Sequence, residues 1–144
     1  MKYISRSIDK TLEEWKESTT HKPLLLRGAR QVGKSSAVRH LGTQFKYFAE
    51  VNFESAKSIA TFFKGDLDVK LISSKISNYI QVPIIPGQTL LFLDEIQACP
   101  EAIMALRFFK EDYPELHVIA AGSLLEFALQ SLPTFGVGRI HSVF

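Results

Sequence analysis

The sequence has a single cysteine, Cys99, which excludes an internal disulfide bond and gives no sign of an oxidising compartment. It lacks any apolar run of roughly 18 residues that could span a membrane, and its first ten residues lack the apolar segment of a signal peptide. The net charge is only +2, which does not indicate a nucleic-acid-binding surface, and the four histidines lack the spacing of metal ligands. We therefore expect a cytoplasmic protein that binds no membrane and, with this chain, no nucleic acid.

The composition is that of one globular domain, with 46% hydrophobic and 22% charged residues in a chain of 144. The first 20 residues are predicted to contain an amphipathic helix whose apolar face holds Ile4, Ile8, Leu12 and Trp15. Short apolar runs and helical patterns then alternate along the chain, which predicts an α/β fold with a mostly parallel sheet. The predicted strands are residues 23–28, 47–53, 89–96, 117–123 and 139–144. The predicted helices are residues 34–41, 56–65, 66–80, 100–112 and 123–131, and the expected buried face of the third holds Ile72, Ile76, Tyr79 and Ile80.

The segment GARQVGKS, residues 28–35, has the G-x-x-x-x-G-K-S spacing of a phosphate-binding loop. Gly28 can adopt a positive φ, and Gly33 lets backbone N–H groups approach the phosphates. Lys34 is expected to reach the β- and γ-phosphates, and Ser35 to place its hydroxyl on Mg²⁺. A predicted strand before the loop and a predicted helix after it disfavour a chance match. The expected nucleotide-binding residues are Gly28, Ala29, Arg30, Gln31, Val32, Gly33, Lys34, Ser35 and Ser36.

The segment LLFLDE, residues 90–95, places two acidic residues at the tip of an apolar strand. A phosphate-loop hydrolase needs one acidic residue near its Mg²⁺ and a second group that orients or deprotonates the attacking water. We assign these roles to Asp94 and Glu95, respectively. The alternative is a strand that ends in two solvated acids, which is less favoured beside a phosphate loop.

Two further polar residues follow predicted strands, and each has a structural alternative. Ser123 could bond the γ-phosphate or the water, and so report the nucleotide state, or it could cap the helix that follows it. Arg139 could stabilise charge on a transferring phosphoryl group, in its own chain or in a neighbouring subunit. It could equally be a surface cation beside a strand.

The segments LLLRGARQVGKS, YFAEVNFE, TLLFLDEIQACPEAIMALRFFKEDYPELHVIAAGSLLEFAL and VGRI together resemble the prokaryotic AAA+-like ATPases of the family AAA_14, whose members usually carry a downstream DUF4143 region. The resemblance implies an ASCE-type P-loop sandwich of three layers, with a five-stranded sheet in the order 5-1-4-3-2. It implies ATP and Mg²⁺ as cofactors, Lys34 and Ser35 as Walker A residues, and Asp94 and Glu95 as Walker B residues. It places Ser123 at the sensor-1 position.

The resemblance also implies roles for two residues outside these motifs. Asn52, at the end of the second strand, is a candidate glutamate switch, although a plain turn residue is an equal alternative. Arg139 matches a Gly-Arg step where arginine fingers lie in chain order, which implies a homo-oligomer. Members of this family continue well beyond residue 144, so the helical lid and the downstream region are expected to be absent from this chain.

The motifs leave two functions open. The first is an ATPase, in which Glu95 activates water and hydrolysis drives a conformational change. The second is a switch or scaffold that binds the nucleotide and hydrolyses little or none of it, which the expected absence of the lid favours. A kinase is less favoured because no acceptor pocket is visible, and a GTPase because no NKxD-like motif occurs.

Overall fold

The structure, a computed structural model, describes residues 7–26, 34–122 and 141–143. The strands are β1 Leu24–Leu26, β2 Tyr47–Asn52, β3 Thr89–Asp94, β4 His117–Ala121 and β5 His141–Val143. The helices are α1 Ser7–Glu17, α2 Lys34–Gly42, α3 Lys57–Ala60, α4 Val69–Ile80 and α5 Pro100–Asp112, with short 3-10 turns at Thr61–Phe63 and Ile96–Ala98. The longest described helix has 13 residues, and none of the described helices is long and apolar enough to cross a membrane.

All five strands pair in parallel, in the order β2-β3-β4-β1-β5. Read from the other edge, this is the predicted order 5-1-4-3-2, so the predicted α/β fold and sheet topology are confirmed. Because the strands are parallel, their carboxyl ends lie at one edge of the sheet. Ligands of open α/β sheets bind in the crevice outside this edge.

Successive side chains along each central strand point to opposite faces of the sheet, where they enter two separate cores. On β3, Leu90 and Phe92 pack with α1 and α2, whereas Leu91 and Leu93 pack with α3, α4 and α5. Every residue of β3 is buried, as expected for a central parallel strand that is covered on both faces. The predicted three-layer sandwich is therefore confirmed.

The observed elements differ from the predicted ones mainly at their ends. β3 stops at Asp94 instead of residue 96, because Glu95 adopts a left-handed backbone with φ of 52°. α4 begins at Val69 rather than residue 66, since the Asp68 side chain accepts a hydrogen bond from the N–H of Leu71 and caps the helix. Tyr79 was expected on the buried face but is 54% exposed, because it lies at the margin of the apolar stripe. The predicted helix 123–131 lies outside the described residues.

A cluster of rings joins α1 to the amino end of β4. The rings of His21 and His117 stack with centroids 3.8 Å apart, and the Trp15 ring makes a T-shaped contact with each of them. The indole N–H of Trp15 donates to the carbonyl oxygen of Lys22 at 2.6 Å. Burial lowers the pKa of His21 to about 4, with smaller contributions from His117 and Lys110, and burial also lowers the pKa of His117. Burial in the fold therefore favours the neutral form of both rings.

This histidine pair predicts a loss of stability in mild acid. Because the folded-state pKa of His21 is depressed, the unfolded chain takes up the proton first, and stability falls as the pH drops from about 6.5 to about 4. We expect the free energy of unfolding to fall by about 1 kcal/mol more between pH 7 and pH 5 in the wild type than in His21→Phe, after discounting for partial exposure. Urea unfolding at both pH values measures this difference, and parallel losses in the two proteins would contradict it.

Candidate active site

The carboxyl edge of the sheet meets the amino end of α2. β1 ends at Leu26, and α2 begins at Lys34, so the glycine-containing segment lies between them. The predicted nucleotide-binding residues 28–33 lie outside the described residues, as does the side chain of Lys34. The geometry of the site therefore rests on what α2, β2, β3 and β4 place at this edge.

The first contact at this edge joins the two motifs that the sequence keeps 59 residues apart. The hydroxyl of Ser35, in the first turn of α2, donates to Oδ2 of Asp94 at 3.4 Å. The other carboxylate oxygen of Asp94, Oδ1, accepts a hydrogen bond from the N–H of Glu95 at 2.9 Å. The hydrogen bond from the next residue's backbone thus orients the Asp94 carboxylate, and its other oxygen faces α2.

Asp94 is a carboxylate that burial makes costly to ionise. It is 7% exposed, and burial raises the pKa of its carboxyl above the ordinary value. The negative charges of Glu95 and Glu50 raise this pKa further, while the Glu95 N–H and the Arg39 guanidinium lower it. A cation beside Asp94 would compensate for the lost hydration, since opposite charge favours the ionised form.

Glu95 lies directly beyond the strand, in a strained turn. Its φ of 52° and ψ of 44° are left-handed values, which cost a non-glycine residue roughly 1–2 kcal/mol. Strain of this kind tends to occur at functional sites. Its Oε2 accepts a hydrogen bond from Nε2 of Gln97 at 3.0 Å. The side chain of Glu95 is therefore fixed by a neighbour on the following 3-10 turn.

Asn52 ends β2 directly opposite Asp94 in the register of β2 and β3. Its Oδ1 accepts hydrogen bonds from the N–H groups of Glu54 and Ser55, at 2.9 and 3.3 Å. This is the turn-forming geometry of an asparagine side chain. The position fits the end of the second strand that was expected, while the glutamate-switch role stays a prediction.

The remaining predicted residues divide into described and undescribed ones. Ser36 lies on α2 beside Ser35 and is exposed. Ser123 and Arg139 lie outside the described residues, so their expected roles stay predictions. β4 does reach the carboxyl edge, where it ends at Ala121, followed by Gly122.

The structure adds an ion pair that the sequence analysis did not single out. The Arg39 guanidinium on α2 forms two hydrogen bonds with the Glu50 carboxylate on β2, at 2.9 and 2.7 Å. The two residues are 11 positions apart and on different elements, so no sequence pattern reveals the pair. Arg39 is half exposed, so the pair adds little stability. It does tie α2 to β2 close enough to Asp94 for both charges to influence that carboxyl.

Comparison with known proteins agrees with the fold. A family model described as AAA domain, AAA_14, matches residues 20–144. Similar solved structures include Orc1 from Aeropyrum pernix in complex with DNA, with a TM-score of 0.55, 15% identity and coverage of 94% of this chain and 42% of that one. Unliganded Pif1 from Bacteroides sp has a TM-score of 0.47, 12% identity and coverage of 98% and 41%. The chain thus spans about two fifths of both structures, and the likeness to Orc1, at 15% identity, shows the fold alone. No curated protein sequence matches at a significant level.

Proposed function

Because this chain belongs to the AAA-domain family AAA_14, we propose that it binds ATP with Mg²⁺ and hydrolyses the bond between the β- and γ-phosphates. The observation that supports this most directly is the 3.4 Å contact of Ser35 with Asp94. It brings the last residue of a G-x-x-x-x-G-K-S loop to a buried acid at the carboxyl edge of a parallel sheet. The proposal concerns this chain only. The similar solved structures are more than twice its length, so nothing is transferred from their remaining parts.

The donors at this edge fit Mg²⁺. They are a hydroxyl on Ser35 and a carboxylate on Asp94, and oxygen ligands are the ones that Mg²⁺ prefers. Among the described residues, no three His, Cys, Asp or Glu side chains form a metal-binding cluster. Few protein ligands are typical of Mg²⁺, which usually keeps waters and substrate phosphates. When bound, the ion would neutralise charge on the β- and γ-phosphates.

Glu95 is the residue we assign to the attacking water. Its carboxylate lies one residue beyond Asp94, and its Oε2 is oriented by Gln97. In the proposed step, Glu95 accepts a proton from the water as the water oxygen bonds to the γ-phosphorus. The bond from that phosphorus to the β–γ bridging oxygen breaks in line with the attack, and ADP leaves. Lys34, the first residue of α2, is proposed to contact the β- and γ-phosphates, and the amino end of the helix to attract their charge.

The nucleotide state is proposed to reach the rest of the molecule through the ends of the strands. Ser123 is proposed to read the γ-phosphate. Arg139 is proposed to complete the site of a neighbouring copy. If Arg139 acts in a neighbour, turnover per chain rises with protein concentration. If it acts within its own chain or not at all, turnover per chain is constant.

Phosphate release from ATP, measured with Mg²⁺ and with EDTA over a range of protein concentrations, tests the proposed function. We expect release that requires Mg²⁺. ATP that binds with no release at any concentration would contradict hydrolysis and would leave a nucleotide-gated switch. Parallel assays with GTP determine the base preference, which rests on the family alone.

A further inference from the structure

Gln97 makes two contacts at the centre of the candidate site, one on each side of its amide. Its Nε2 donates to Oε2 of Glu95 at 3.0 Å. Its Oε1 is buried and accepts no hydrogen bond within the part of the chain that the structure describes. The reverse orientation of the amide would place Oε1 against the Glu95 carboxylate, where two acceptors would face each other. The charge on Glu95 therefore selects the observed orientation.

The other side of the amide rests on Gly122, the residue that follows β4. A Cβ added to Gly122 would lie 2.1 Å from Oε1 of Gln97 and 3.2 Å from its Cδ. The next nearest atom, the backbone nitrogen of Ile96, is 3.5 Å away, which is an ordinary contact. The φ of Gly122 lies outside the left-handed region, so its backbone would accept alanine. The absence of a side chain at Gly122 is thus what lets the Gln97 amide occupy its place.

We propose that Gln97 is a positioning residue that holds the Glu95 carboxylate for hydrolysis and connects it to the end of β4 through Gly122. This inference rests on the proposed function. Gly122 directly precedes the predicted sensor Ser123, so a displacement of Gly122 would move the Gln97 amide. Glu95 would then lose the hydrogen bond that Gln97 donates to it. Gln97 itself touches no reacting atom.

The kinetic test is a double-mutant cycle of Gln97→Ala and Gly122→Ala. Each single variant is expected to lower kcat by about 10- to 100-fold, the usual effect of removing a partner that orients an active-site ligand. ATP affinity is expected to stay unchanged, since neither residue belongs to the phosphate loop. The double variant should be no slower than Gln97→Ala, because Gly122→Ala acts only through the Gln97 side chain.

The matched control is Gln44→Ala. The Nε2 of Gln44 donates to Oε1 of Glu13 at 3.1 Å, so the same type of amide–carboxylate bond occurs on the exposed surface of α1 and its neighbour. This variant is expected to keep the wild-type kcat. Thermal unfolding of all variants separates a change at the site from a loss of folding. Gln97→Ala removes only part of a half-buried side chain, so it remains usable if Gly122→Ala fails to fold.

A measurement without nucleotide tests the contact independently of turnover. In ¹⁵N-labelled protein, the side-chain amide signals of Gln97 are identified as the pair lost in Gln97→Ala. They are expected to shift in Glu95→Gln and in Gly122→Ala, while the signals of Gln44 stay in place. Unshifted Gln97 signals in both variants would overturn the proposal.

The outcomes separate this proposal from the proposed function. Wild-type turnover with unchanged kcat in Gln97→Ala would overturn the role of Gln97 and leave the ATPase intact. Strictly additive effects in the cycle would overturn the connection through Gly122. No phosphate release by the wild type would contradict the ATPase, and with it any role of Gln97 in turnover, whereas the amide signals would still judge the contact.

Discussion

Asp94→Asn is expected to weaken Mg²⁺-dependent nucleotide binding by at least about 100-fold without destabilising the fold. Asparagine can still accept the hydrogen bond from the Glu95 N–H and can donate to the Ser35 hydroxyl, so the local structure has partners. It lacks the negative charge that a divalent cation requires. Metal coordination supplies several kcal/mol, and a loss of about 3 kcal/mol corresponds to about 100-fold. We therefore expect affinity for Mg²⁺-ATP and turnover to fall by at least about 100-fold.

The stability of the same variant follows from the raised pKa of Asp94. Burial is its main cause, so the fold opposes ionisation of this carboxyl. The wild type avoids the penalty when the carboxyl is protonated in acid and incurs it as the pH rises through the folded-state pKa. Asparagine carries no charge, so at pH 7 the variant should unfold at the same or a higher urea concentration than the wild type.

Isothermal titration with Mg²⁺-ATP and urea unfolding test both halves of this prediction. The matched control is Asp112→Asn, at the exposed end of α5, which should change neither quantity. A variant that binds Mg²⁺-ATP as the wild type does would contradict the assignment of Asp94. If Asp94→Asn were less stable than the wild type at pH 7, the ionised carboxylate would stabilise the fold. That result would contradict the expectation that its burial costs stability.

Glu95→Gln is expected to keep ATP bound and to lower turnover by at least about 100-fold. Glutamine has the same shape, and its carbonyl oxygen can accept the hydrogen bond from Nε2 of Gln97, so the turn after β3 should be retained. It cannot accept the proton of the attacking water. General-base catalysis typically contributes 10²- to 10⁴-fold, which sets the expected size of the loss.

Steady-state phosphate release and ATP titration measure the two effects of this substitution. Glu14→Gln, on the exposed face of α1, is the matched control and should behave as the wild type. Equal turnover in Glu95→Gln would remove Glu95 from the mechanism. Loss of ATP binding in this variant would instead indicate a role in holding the nucleotide.

The sequence alone predicted the sheet because its apolar segments are short and distinct. β3 is apolar from Leu90 to Leu93, and it is buried on both faces as that pattern requires. α5 begins at the proline expected at its first turn and ends before Tyr113. The strand order followed from a family resemblance, since no local pattern specifies which strands become neighbours.

The parts of the site that the sequence did not reveal depend on tertiary geometry. The left-handed turn at Glu95 contains neither glycine nor asparagine, the residues from which such a turn is usually predicted. The predicted strand therefore ended two residues too late. Gln97 was visible in the motif FLDEIQ, but its contact with Gly122 joins residues 25 positions apart in the chain. The pair of Arg39 and Glu50 likewise exists only because α2 packs on β2.

Analysis of the nucleotide bound to wild type and to Glu95→Gln tests the proposed ATPase most directly. Each protein, in excess over labelled ATP, is mixed with that ATP and Mg²⁺. After a fixed time the protein is separated from free nucleotide and denatured to release the bound nucleotide. We expect ADP from the wild type and intact ATP from Glu95→Gln. Intact ATP on both proteins would mean that GARQVGKS binds a nucleotide that Glu95 does not help to hydrolyse, and absence of nucleotide from both would contradict the site itself.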